Sequence, residues 1–141
     1  MTNDHVTVLV VDDDDLTAEM IERSLRKFGP MFRIEAAIDG QEALDMLRGI
    51  GRPKLDRPHV VLLDLNMPRL NGFEFLEAIR SDPDLQDSVV FVLTTSDAQS
   101  DMARAYNEQV AGYIVKEAAG SQFTRVAAML NEFNATVCLP A

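Results

Sequence analysis

The sequence predicts an α/β protein built on a five-stranded, doubly wound parallel sheet, and three observations carry that prediction. Short apolar runs rich in Val and Ile recur along the chain without alternation, as strands covered on both faces require. Stretches of helical periodicity lie between them. Four of the five runs also end on a polar residue, which brings reactive side chains to one rim of the sheet.

The elements follow in order. "VLVV" (Val8 to Val11) is the first strand. Leu16, Met20, Ile21, Leu25 and Phe28 form one helical stripe, stopped by Gly29-Pro30. Phe32 to Ala37 is a weaker second strand, and Asp39 with Glu42 resembles a capping pair opening a helix through Leu47. "RGIGRPKLDRP" (Arg48 to Pro58) is a loop by its Gly and Pro content. Its four basic residues, Arg48, Arg52, Lys54 and Arg57, are either a solvated face or a docking point for an acidic partner. Val60 to Leu63 is the third strand. Phe75, Leu76 and Ile79 mark the third helix, halted at Ser81-Asp82-Pro83. Val89 to Leu93 and Tyr113 to Val115 are the fourth and fifth strands. A weak helix at Ala98 to Asn107 lies between them, and a clearer one with Phe123, Val126, Ala127, Leu130 and Phe133 on one face follows. Five β-α repeats imply right-handed crossovers and helices on both faces.

The 141 residues, 47% hydrophobic and 26% charged, suit one globular domain over 1–141, with a core of about 6–133 and a tail at 134–141. A formal charge of −10 argues against binding nucleic acid or an anionic membrane. No apolar run reaches the length of a membrane span. The opening "MTNDHVTVLVV" lacks a basic region and a cleavage site, so no signal peptide is indicated. The single cysteine, Cys138, cannot form an internal disulfide, which fits a cytoplasmic, reducing home.

The chemistry sits at the strand ends. Asp12 and Asp13 follow the first strand, Asp64 the third, Thr94 the fourth and Lys116 the fifth. Four consecutive aspartates, Asp12 to Asp15, repel one another unless a cation or helix amides answer them. Asp14 and Asp15 suit the start of a helix, as cap and dipole partner. Asp12, Asp13 and Asp64 form an oxygen-only donor set suited to Mg²⁺. With Lys116 and Thr94 contacting phosphoryl oxygens, Asp64 can act as a nucleophile that becomes an acyl phosphate.

The motifs "VLVVDDD", "VLLDLNMPRLNG", "VLTTS" and "GYIVK" closely resemble the receiver domain of two-component response regulators, over essentially the whole chain. The resemblance implies a flavodoxin-like receiver fold with strand order 2-1-3-4-5. It makes Asp64 the residue phosphorylated by a sensor histidine kinase in a Mg²⁺-dependent reaction. Asp13, Asp64 and the Asn66 carbonyl would hold the ion, with Asp12 nearby. Lys116 would contact the phosphoryl group, while Thr94 and Tyr113 form the switch pair. The protein would then be a phosphoprotein that catalyses only its own phosphorylation and dephosphorylation. As a stand-alone regulator it would signal through protein contacts, as a homodimer through helix 4, strand 5 and helix 5. The long loop before the third strand is similar to that of regulators partnering phytochrome-type kinases.

One departure stands out. The family usually follows its lysine with a cis proline, whereas Glu117 occupies that place here. The expectation is a trans bond with a repositioned loop, or a cis bond held by tertiary contacts, and Glu117 can pair with Lys116. Two other readings of the same residues are a phosphatase and a scaffold. A haloacid-dehalogenase-like phosphatase would need a second acid two residues after its nucleophile, where this chain has Asn66. A degenerate receiver would act as a scaffold only. The tail residues Val137, Cys138 and Leu139 either fray, fold onto their own domain or join a subunit interface.

Overall fold

The computed structural model describes residues 5–141. The start of the opening segment, residues 1–4, on which the reading of no signal peptide also rests, lies outside the described residues. Five parallel strands alternate with five helices: β1 (Val6–Val11), α1 (Asp15–Leu25), β2 (Phe32–Ala37), α2 (Gly40–Arg48), β3 (His59–Leu63), α3 (Gly72–Arg80), β4 (Val89–Thr94), α4 (Gln99–Asn107), β5 (Gly112–Val115) and α5 (Thr124–Thr136). The sheet order is β2-β1-β3-β4-β5, as the family resemblance implied.

Alternation along each strand divides the core in two. Leu9, Val11, Val61, Leu63, Val90 and Val92 pack beneath α2 and α3, against Leu47, Phe75, Leu76 and Ile79. Val8, Val10, Val60, Leu62, Phe91 and Leu93 face the other way, toward Ile21 and Leu25 of α1 and Val126, Ala127 and Leu130 of α5. Both faces are therefore dry at these positions, which is why Val8 to Val11, Val60 to Leu63 and Val90 to Leu93 are apolar without alternation. Phe91 meets Phe133 edge to face at 5.2 Å, fixing α5 over β4.

Capping explains where the helices begin. Asp14 is the N-cap of α1, its carboxylate accepting from the Leu16 amide at 3.0 Å, and Asp15 occupies the first turn. Asp39 caps α2 by accepting from Glu42 N at 2.9 Å. Glu42 reaches back one residue further than a reciprocal box would, to the Ile38 amide. A complete capping box, Asn71 with Glu74, opens α3.

Several expectations are refined. β1 begins at Val6 and β3 at His59. The stripe read through Phe28 ends as α-helix at Leu25 and continues as a turn of 3-10 helix, Arg26–Phe28. In the Arg48 to Pro58 loop, Arg48 pairs with Asp82 at 3.1 Å and Arg57 with Asp87 at 3.0 Å, so these two cations serve the chain's own acids. Leu139 is buried with the α1–α5 cluster, so this part of the tail folds onto its own domain. Among the described residues no helix is long and apolar enough to cross a membrane.

Candidate functional site

Sheet register gathers the site. The Asp12 amide bonds to Ala37 O and the Asp64 amide to Val11 O, so β1 and β3 deliver their terminal aspartates side by side. Asp12, Asp64 and Thr94 are buried, while Asp13 faces solvent.

Asp12 is densely bonded. Its Oδ1 accepts from the Asp14 amide at 2.9 Å. Its Oδ2 accepts from Thr17 Oγ1 at 3.0 Å and from Lys116 Nζ at 2.7 Å. Asp64 is held more loosely. Thr94 Oγ1 donates to its Oδ1 at 2.9 Å and the Asn66 amide at 3.3 Å, while Lys116 Nζ stands 3.6 Å from its Oδ2. Burial pushes the Asp64 carboxyl above its usual range, against the opposing pull of Lys116 and Thr94. Burial also disfavours the Lys116 ammonium, but Asp12 and Asp64 outweigh it and hold this lysine above its ordinary value.

One carboxylate oxygen from each of Asp12, Asp13 and Asp64 lies within 4.8 Å of the other two. Three hard carboxylates at that separation fit a divalent cation, whose charge would relieve their repulsion. Beside this trio, Tyr113 is half-buried, and its hydroxyl donates to Ser96 O at 3.0 Å, over the loop leaving β4. Ser96 Oγ donates to Asp101 Oδ2 at 2.6 Å, tying that loop to the first turn of α4.

The structure thus brings Asp12, Asp13, Asp64, Thr94 and Lys116 together, with Asn66 and Tyr113 at the margins. It corrects one expectation: Lys116 does not pair with Glu117, which is exposed, because Asp12 and Asp64 offer a less hydrated partner pair. The Lys116–Glu117 bond is trans, and a 3-10 turn, Lys116–Ala118, carries the chain away from β5. Thr17 was not anticipated. A hydroxyl on the buried face of α1, five residues after Asp12, was its only signal.

Residues 8–128 match the family model described as the response regulator receiver domain. The chain is 36% identical over 133 residues to the probable methanogenesis regulatory protein FilR2 of Methanothrix harundinacea, covering 92% of this chain and 84% of that one. It spans 44% of the length of mycobacterial response regulators that it matches at 39% identity. Among solved structures it is similar to the phosphorylated cyanobacterial phytochrome response regulator RcpA, with TM-score 0.87, 34% identity, and 97% and 99% of the two chains covered. It is also similar to the Mn²⁺-bound response regulator Rcp1, with TM-score 0.83, 29% identity, and 96% and 99% covered. The parallel sheet with helices on both faces, the acidic trio and these likenesses agree: the chain belongs to the response regulator receiver domain family of two-component signalling.

Proposed function

We propose that this receiver accepts a phosphoryl group on Asp64 from the phosphohistidine of a sensor histidine kinase, with Mg²⁺ as cofactor. The carrying observation is the convergence of Asp12, Asp13, Thr94 and Lys116 on one buried carboxylate. Asp64 supplies the attacking oxygen. Burial has already removed much of its water, which leaves it poorly solvated and reactive. Thr94 and Lys116 stand where they can donate to the phosphoryl oxygens as charge moves onto them. Asp12, Asp13, Asp64 and the Asn66 carbonyl would hold the ion, which when bound neutralises charge between carboxylate and phosphoryl group.

Once Asp64 is modified, Thr94 is free to follow the phosphoryl group, and the Tyr113–Ser96 bond carries that shift to the loop before α4. The readout surface is α4, β5 and α5, through which two copies associate. A phytochrome-type kinase is the preferred partner, because similarity to RcpA and Rcp1 extends along almost the whole of each chain. Such a phosphotransfer proceeds in the cytoplasm, with the receiver core at about 6–133 acting as one unit within 1–141. The phosphatase reading is not favoured, because Asn66 cannot serve as a general acid.

Incubation with a small acyl-phosphate donor and Mg²⁺ tests the proposal. Labelling is expected in the wild type, and not after chelation or in Asp64→Asn. Labelling that survives either change would reject it.

A further inference from the structure

The loop between β3 and α3 returns tightly on itself, with the Gly72 amide bonded to Leu65 O at 3.1 Å. A Cβ at Gly72 would lie 2.5 Å from the Asp64 carbonyl oxygen, so the loop's inner side has no slack. Its outer side is held from another element. The Gly40 amide donates to Leu70 O at 2.9 Å, and a Cβ at Gly40 would approach that oxygen to 2.6 Å. One residue earlier, Nε and Nη2 of Arg69 both reach Asp39 Oδ2 at 2.6 Å.

Two features separate this pair from an ordinary surface ion pair. Asp39 is only 2% exposed and is fixed by its second oxygen, which caps α2. Arg69 has φ of 61°, a left-handed conformation that favours glycine, so its backbone depends on an outside contact to stay there. Arg69 lies three residues beyond Asn66, on the same strand-to-helix loop.

We infer that Arg69 is a positioning residue for cation binding: its ion pair to Asp39 clamps the β3–α3 loop to the β2–α2 turn and holds the Asn66 carbonyl at the Asp12–Asp13–Asp64 site. The inference rests on the Mg²⁺ site proposed above. Releasing the pair leaves the outer half of the loop on the Gly40–Leu70 bond alone, and the backbone ligand is held less firmly while all three carboxylates remain. The defect therefore appears in metal affinity first and in phosphorylation only as a consequence.

Calorimetric titration of the full chain with MgCl₂ provides the test. Arg69→Ala and Arg69→Gly are both expected to weaken Mg²⁺ binding by about tenfold, the usual scale for losing an outer support of a metal ligand. Asp39→Asn keeps an N-cap side chain, so α2 persists while the ion pair is lost. It should weaken binding similarly, and combining it with Arg69→Ala should add little. Arg69→Lys should restore part of the affinity. Wild-type affinity in both Arg69→Ala and Arg69→Gly overturns the inference. So does full recovery in Arg69→Gly alone, which would assign the effect to backbone strain. A wild type that binds no Mg²⁺ removes the proposed site and this inference together, whereas normal wild-type binding with unaffected variants removes the inference alone.

Discussion

Lys116 is bonded to Asp12 rather than to Asp64: its ammonium lies 2.7 Å from Asp12 Oδ2 and 3.6 Å from Asp64 Oδ2. The lysine thus occupies the negative region that a divalent cation would share. Under the proposed function, metal and ammonium would compete for Asp12, and the ammonium released from that carboxylate would be the one to meet an incoming phosphoryl group.

Lys116→Met is expected to tighten Mg²⁺ binding about fivefold, equivalent to ~1 kcal/mol for a partly exposed pair. Labelling of Asp64 should nevertheless become slower. Calorimetry and donor-labelling rates measured on the same preparation separate the two effects. Weakened Mg²⁺ binding would count against the competition.

Asp64→Asn removes a buried charge that repels its acidic neighbours. In metal-free buffer its melting temperature is expected to rise by about 3 °C. The further stabilisation that Mg²⁺ gives the wild type should be lost. Thermal melts with and without MgCl₂ read both, and a destabilised metal-free variant would contradict the desolvation and like-charge repulsion assigned to Asp64.

Tyr113→Phe deletes a single hydrogen bond to Ser96 O, at a cost of about 1 kcal/mol. Labelling of Asp64 should proceed at close to the normal rate, while any phosphorylation-dependent change in oligomeric state is blunted. Sedimentation of labelled and unlabelled protein measures the second effect. A labelled variant that behaves like the wild type would remove Tyr113 from signal transmission.

His59 supplies a pH dependence remote from the site. Burial lowers its pKa to about 4, and its Nε2 lies 3.0 Å from Ser88 Oγ. A buried imidazole that prefers to be neutral contributes stability fully above the unfolded value near 6.5, and that contribution fades as pH falls toward 4. The full span amounts to about 3 kcal/mol. Melting temperature should therefore drop between pH 6.5 and 4.5, and His59→Asn should flatten that part of the curve. An unchanged slope in the variant would exclude His59 as its source.

Much of the fold was legible because burial on both faces writes itself into composition. The run Phe32 to Ala37 predicts β2 to the residue. The apolar run Val8 to Val11 falls two residues short of β1 because Thr7 interrupts it, although Thr7 is itself buried. The strand-end residues were legible for the same reason, since parallel register carries every carboxyl end to one rim. The resemblance to a known family then supplied the strand order.

What escaped were contacts between loops distant in sequence. Arg69 with Asp39 has no periodicity to betray it. Nor does Arg80, whose guanidinium donates to the carbonyls of Gln86, Ser88, Glu108 and Gln109 and staples the α3–β4 loop to the α4–β5 loop. The expected Lys116–Glu117 pair failed because adjacency in sequence says nothing about which acids are dry. Asp12 and Asp64 are buried and Glu117 is not.

The most direct measurement is the chemical position of the phosphoryl group. Reductive trapping with borohydride converts a phosphorylated aspartate to homoserine, which peptide mass spectrometry then locates. Homoserine at position 64, formed only with Mg²⁺, is the expected result. Homoserine at Asp12, at Asp13 or at no aspartate in the wild type would contradict the assignment of this site.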